Sequence, residues 1–270
     1  MINAAQLIGT HNILLMTLDT LRLDVANAAL AQGQTPNLAQ HLPDQQWEAR
    51  HTPGSFTYAA HRAFFAGFLP TPIAPGSHPR LFSARFLGSE TTTKETAVFD
   101  APDIVTGLNQ SGYHTICIGG VGFFNKATPL GNDLPSLFDE SHWSENMGVT
   151  SPTSTYWQVQ TVVSRLQQIP LTTRVFLFIN ISAMHQPNCI FLPDATEDSP
   201  ASQQAALAYA DSQLPPLFAA LQSRAPTLTI ICSDHGTMYG EDGYTGHRLG
   251  HEIVWTVPYT QFILPKQVKE

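Results

Sequence analysis

Five runs of apolar, often β-branched residues recur along the chain and restrict its fold more than any other feature. They cover residues 12–18, 115–118, 175–181, 228–232 and 259–264. Runs of this length and composition predict strands buried on both faces. Between them lie helical patterns over roughly 57–67, 101–111, 153–168 and 201–223. The second has Pro102 near its start and Gly112 just past its end. In the last, Leu207, Ala210, Leu214, Leu217, Phe218 and Leu221 form one stripe, and Pro215-Pro216 predicts a break into two pieces. Alternating strands and helices predict an α/β fold, a sheet with helices on both faces. No repeat, low-complexity tract or long linker interrupts the 270 residues, so residues 1–270 read as one domain.

Composition narrows the function classes. Charged residues are 13% of the chain, about half the usual share, while eleven histidines raise the question of a metal. Thirteen Lys+Arg against twenty-one Asp+Glu give a net charge of −8, which repels nucleic acid and anionic lipid surfaces. No window reaches the length of apolar residues that a membrane span needs, and the N-terminus lacks a basic then apolar leader pattern. The expectation is a cytoplasmic protein with no nucleic-acid partner and no membrane insertion. Cys117, Cys189 and Cys232 follow no metal-ligand spacing and stand beside apolar neighbours, as buried free thiols in a reducing compartment do.

In open α/β sheets, ligands gather at the carboxyl ends of the strands. The first strand run ends in Leu18-Asp19-Thr20-Leu21-Arg22, and a late one ends in Ser233-Asp234-His235-Gly236. If these strands are neighbours, Asp19, Asp234 and His235 form a mixed oxygen and nitrogen set suited to Zn²⁺ or Mn²⁺. The alternative is that each Asp caps a helix or shapes a turn. Thr57, at the entry to a short helix, sits where a helix N-terminus binds a phosphoryl or sulfuryl oxygen and stabilises an alkoxide. His61 is four residues further, on the same helix face, with Arg62 beside it; in the alternative reading Thr57 only caps the helix and His61 and Arg62 are solvated. His185 follows a buried strand, and a Gly-rich loop over 240–250 carries His247 and leads to His251, which either approach a ligand or fill structural positions.

In this arrangement the chain resembles the sulfatase-like branch of the alkaline phosphatase superfamily, which includes phosphonate monoester hydrolases, lipoteichoic acid synthases and phosphoethanolamine transferases. The resemblance rests on residues 12–22 with Thr35-Pro-Asn-Leu38, the 57–70 segment, Gly112–Gly119, the strand ending at His185, and Ser233-Asp-His-Gly236 with Gly246-His247 following. It implies an alkaline-phosphatase-like, mostly parallel central sheet with helices on both faces, lacking the C-terminal subdomain of larger relatives. It also implies that Asp19, Asp234, His235 and Thr57 hold one divalent metal ion, with Thr57 the nucleophile. His185 and His247 would contact the transferred group or leaving oxygen. Candidate substrate contacts are then His61, Arg62, His185, His247 and His251.

Departures from the family pattern shape the expected activity. The Cys or Ser that sulfatases oxidise to formylglycine is replaced by Thr57, which cannot become that aldehyde, and His61 stands where the motif has Arg. Ile181 does not supply the Asp of an Asp-x₃-His second metal site, and Lys126 is the nearest substitute for a lysine expected after the 112–119 strand. The expectation is a metal-dependent hydrolase of a phosphate ester, a phosphodiester or phosphonate monoester by preference. The alternatives are a phospho-group transferase, a sulfatase without formylglycine, and an inactive metal-binding protein in a biosynthetic complex. Its partner is a small phosphorylated substrate, recognised by loops such as 71–95 and 126–152; a protein partner that completes the site is left open.

Overall fold

The computed structural model of the chain describes residues 2–67, 80–82, 96–98 and 103–267. Seven strands form the main sheet: β1 (Asn12–Leu18), β2 (Glu48–His51), β3 (His114–Ile118), β4 (Glu140–His142), β5 (Val175–Ile181), β6 (Thr227–Cys232) and β7 (Thr256–Leu264). Their order is β2-β7-β6-β1-β5-β3-β4. β6, β1, β5, β3 and β4 run parallel; at one edge β7 is added antiparallel to β6, and β2 antiparallel to β7. The helices of seven residues or more among the described residues are α1 (Leu23–Ala31), α2 (Thr57–Ala66), α3 (Ile104–Gln110), α4 (Ser154–Gln168), α5 (Pro200–Gln213) and α6 (Pro215–Gln222).

The strand expectations at 12–18 and 175–181 coincide with β1 and β5, whose residues are almost all buried. The last strand differs. β7 runs antiparallel to β6 and is only partly buried, because its other neighbour is the exposed strand β2. The break at Pro215 is present: α5 ends at Gln213 and α6 starts on the prolines, whose missing N–H groups cost nothing at a first helical turn. The 101–111 pattern gives α3, and its first two residues lie outside the described residues, as does the 71–95 loop apart from 80–82. Cys117 and Cys232 are buried free thiols, whereas Cys189 lies half-buried in the loop after β5.

Side-chain alternation divides the core in two. Leu14, Met16 and Leu18 of β1 join Val175, Leu177, Ile179 and Ile181 of β5 on the face covered by α1, α4, α5 and α6. Ile13 of β1 and Phe176 and Phe178 of β5 face the other way, against Phe65 of α2 and Val105 and Leu108 of α3. Each fully buried Leu, Ile or Phe contributes about 1.5–3 kcal/mol, so both clusters hold the sheet rigid. This parity positions the site. Thr17 continues the Ile13 face and Asn180 the Phe178 face, and the two are register partners. Two polar side chains therefore lie under α2, at the carboxyl end of the sheet. α2 itself buries Thr57, Ala60, His61 and Phe65, a stripe at helical spacing, and ends at Gly67, whose φ of 77° is the left-handed conformation that glycine adopts freely.

Candidate metal and phosphoester site

β1 and β6 are parallel neighbours with Thr17 opposite Cys232, so their carboxyl ends deliver Asp19 and Asp234-His235 to one spot. Ligand atoms of Asp19, Asp234 and His235 lie within 4.8 Å of one another, all fully buried. The carboxylates are held by half. Asp19 Oδ2 accepts from Asn180 Nδ2 at 2.9 Å, and Asp234 Oδ1 accepts from the backbone N–H groups of Thr20 and His235, each at 3.1 Å. Asp19 Oδ1 and Asp234 Oδ2 have no partner. Orphaned buried carboxylate oxygens are costly, and a cation between them removes the cost.

Burial raises the Asp19 pKa to about 6, with the neighbouring Asp234 charge adding to the effect, and burial raises that of Asp234 to about 7. His235 goes the other way: burial lowers its pKa, so the ring is a neutral base. Its Nδ1–H donates to the Gly236 carbonyl at 3.0 Å, which leaves Nε2 as a bare lone pair facing the carboxylates. Asp234 Oδ2 and Thr57 Oγ1 each stand 3.4 Å from that Nε2. Ligands at about 2.0–2.1 Å from a tetrahedral ion stand about 3.3 Å apart, so the donors fit a compact divalent metal.

Thr57 occupies the first position of α2, following Phe56, which makes no side-chain cap. Its hydroxyl shares a helix N-terminus with free N–H groups, a setting that favours an anion. His185 and His247 complete a row of imidazoles. The His247 ring centroid is 4.4 Å from that of His235 and 6.1 Å from that of His185. Burial, with help from His235 and His185, lowers the His247 pKa to about 3. His247 Nδ1 is buried without a partner, whereas His185 Nδ1 donates to the Gln186 carbonyl at 2.6 Å and leaves its Nε2 open.

Three candidate substrate contacts have their polar atoms engaged within the protein. His61 is fully buried on the inner stripe of α2, where its Nδ1 meets the Thr57 carbonyl at 2.7 Å and its Nε2 meets Thr17 Oγ1 at 3.0 Å. The shared face with Thr57 is correct, but that face turns to the sheet. Arg62 projects outside the stripe, half-exposed and 3.6 Å from Asp133. His251 caps the short helix Glu252–Trp255: its Nδ1 accepts from the Ile253 N–H at 3.1 Å and its Nε2 meets Asp242 Oδ2 at 3.0 Å. Lys126 also turns away, donating to the Ser141 carbonyl.

Other residues serve the site without having been singled out from sequence. Asn180 and Thr17 are the clearest, and their signal was present as polar interruptions in otherwise apolar strand runs. Arg22, with a side chain 5% exposed, grips Asp24 through Nε and Nη2 and Glu241 through Nη1, tying the turn after β1 to the loop that carries His247. Thr20 holds a φ of 60°, unfavourable for a β-branched residue. Its N–H to Asp234, its hydroxyl to the Met184 carbonyl and its own carbonyl, accepting from Gln203, keep it there.

The fold thus brings Asp19, Asp234 and His235 together as a candidate metal site at the carboxyl ends of the strands. The chain belongs to the sulfatase family, whose model matches residues 12–260. No curated protein sequence matches it significantly. Among solved structures, the soluble domain of lipooligosaccharide phosphoethanolamine transferase A from Neisseria meningitidis is similar with a TM-score of 0.63 at 13% identity, over 94% of this chain and 76% of that one. The C-terminal periplasmic domain of EptC from Escherichia coli, in complex with Zn, gives 0.60 at 13% identity, over 93% and 72%. The lipoteichoic acid synthase LtaP from Listeria monocytogenes gives 0.60 at 14% identity, over 94% and 65%. The mostly parallel sheet flanked by helices is thus alkaline-phosphatase-like.

Proposed function

We propose that the chain is a metal-dependent hydrolase of a phosphate ester, with a phosphodiester or phosphonate monoester preferred and Thr57 as nucleophile. The observation that carries this reading is the Thr57 hydroxyl, 3.4 Å from the bare Nε2 of His235 and beside two carboxylates with orphaned oxygens. Asp19, Asp234, His235 and Thr57 would hold one divalent ion, Zn²⁺ or Mn²⁺, because the set mixes oxygen with imidazole nitrogen. When bound, such an ion supplies the positive charge that lowers the pKa of the hydroxyl and offsets charge on the phosphoryl oxygens.

Thr57 Oγ, its proton released to solvent, attacks phosphorus in line, the bond to the leaving oxygen breaks, and the phosphothreonine intermediate that forms is cleaved by water, which restores the hydroxyl. The N–H groups at the start of α2 face the equatorial oxygens as their charge grows. His247, held neutral, donates a hydrogen bond to an oxygen of the transferred group. His185 takes up a proton at its open Nε2 and gives it to the leaving oxygen. A row of imidazoles in place of arginines and lysines favours a monoanionic diester over a dianionic monoester.

Transfer to an acceptor alcohol instead of water is the second reading, favoured by the similarity in fold to phosphoethanolamine transferases. The test is turnover of a bis-aryl phosphate, an aryl phosphate and an aryl sulfate by the Zn²⁺- or Mn²⁺-loaded protein, with and without an amino alcohol. Diester turnover lost in Thr57→Ala supports the reading, and capture of product by the alcohol turns it to transfer. Dominant sulfate turnover, or activity that survives Thr57→Ala, overturns it.

A further inference from the structure

We infer that His61 is a positioning residue: a buried hydrogen-bond chain running Asp19–Asn180–Thr17–His61 locks the backbone of Thr57 to the strand that carries Asp19. The inference rests on the reading of Thr57 as nucleophile.

Donor and acceptor roles along this chain admit one assignment. Asn180 Oδ1 accepts from the Val121 N–H at 3.1 Å, which fixes the orientation of the amide. Its Nδ2 therefore donates both hydrogens, one to Asp19 Oδ2 at 2.9 Å and one to Thr17 Oγ1 at 3.1 Å. The Thr57 carbonyl can only accept, so the proton of the neutral His61 ring sits on Nδ1 and donates to it at 2.7 Å. His61 Nε2 is then a bare acceptor, and Thr17 gives its own hydrogen to it at 3.0 Å.

The surroundings make this arrangement stiff. The rings of Phe64, Phe65, Phe124 and Phe178 surround the imidazole with centroids 5.2–6.1 Å away, three of them edge-on. His61 is fully buried, and burial lowers its pKa to about 3, consistent with a neutral ring. A buried imidazole is an expensive way to fill a space that leucine could fill. Its two nitrogens are used to join two elements: β1, two residues before Asp19, and the first residue of α2. Small displacements of a nucleophile cost large factors in rate, so a brace between the nucleophile's backbone and a metal-ligating strand has a catalytic consequence.

The brace is tested by Thr17→Val, which removes the linking hydroxyl at nearly constant shape, with Thr17→Ser as the conservative rescue. Three readouts apply: the kcat and KM for a bis-aryl phosphate, the Kd for Zn²⁺ alone by chelator competition, and the His61 tautomer by long-range ¹H–¹⁵N spectra, assigned against His61→Asn. The expected result for Thr17→Val is a kcat lower by about 10–100-fold with KM changed less than about threefold. Its Zn²⁺ Kd rises about tenfold, as when other partners of a metal ligand are removed, and Thr17→Ser restores both. In the wild type His61 carries its proton on Nδ1. A folded Thr17→Val with wild-type kcat, or a wild-type His61 protonated on Nε2, overturns the brace. Full turnover by Thr57→Ala would instead sink the nucleophile reading, so the two failures are distinguishable.

Discussion

The Thr57 hydroxyl lies 3.4 Å from Nε2 of His235, although the two residues stand 178 positions apart in sequence. Each reaches that point from a different element, Thr57 from the first position of α2 and His235 from the turn after β6. Thr57→Ser keeps the oxygen and is expected to retain activity within about tenfold, whereas Thr57→Ala is expected to lose about 10⁴-fold or more in kcat. Steady-state kinetics on both variants, with metal content measured alongside, check this.

Metal binding should release protons. Because the pKa values of Asp19 and Asp234 are raised to about 6 and about 7, protons compete with the metal at these carboxylates below neutral pH. The sign follows directly: apparent Zn²⁺ affinity falls as pH drops from about 7 to 5, approaching loss of two protons per ion at the acid end. His235, with its pKa lowered, adds little competition in that window. Calorimetry in buffers of different ionisation enthalpy at pH 6 should report more than one proton released, and Asp234→Asn should report fewer.

Arg22 connects the two loops that flank the carboxylates. Its guanidinium holds Asp24 at 2.6 and 2.9 Å and Glu241 at 2.5 Å and lies 5.7 Å from the Tyr239 ring centroid. Arg22→Met keeps the stem but removes these bonds. The expected cost is about 2 kcal/mol of stability, with a raised KM because the His247 loop loses its anchor. Thermal unfolding and kinetics on one preparation separate the two effects.

Gly236 follows His235 and packs so closely on the Ile253 carbonyl that a Cβ there has no space. Gly236→Ala must shift the Asp234-His235-Gly236 turn, including the carbonyl that receives the His235 proton. A loss of about 1–3 kcal/mol in stability and weaker Zn²⁺ binding are expected. Chelator competition and denaturant unfolding measure both.

Much of the architecture was readable because burial on both faces leaves a simple mark. β1 and β5 stand out as long apolar runs, and α4, α5 and α6 as stripes and proline breaks. Short or exposed elements leave no such mark: β2 and β4 have three or four residues each, and α1 is rich in alanine, so its buried face of Val25, Ala26 and Ala29 scarcely differs from the rest. The antiparallel course of β7 lies in its pairing with β6, a long-range contact that no local pattern encodes. Asp19, Asp234 and His235 were legible because strand ends are where an α/β sheet gathers ligands. His61 shows the limit of spacing: i and i+4 put it on one face with Thr57, but only packing against Phe124 and Phe178 decides that this face is inward.

Trapping the intermediate tests the nucleophile most directly. Zn²⁺- or Mn²⁺-loaded protein is mixed with a bis-aryl phosphate, quenched in acid during turnover, and mapped by peptide mass spectrometry. Attack by Thr57 Oγ with departure of one aryl oxide predicts an aryl phosphoryl group on the peptide containing Thr57, absent from Thr57→Ala. Steady turnover with an unmodified Thr57 peptide, persisting in Thr57→Ala, would contradict the account.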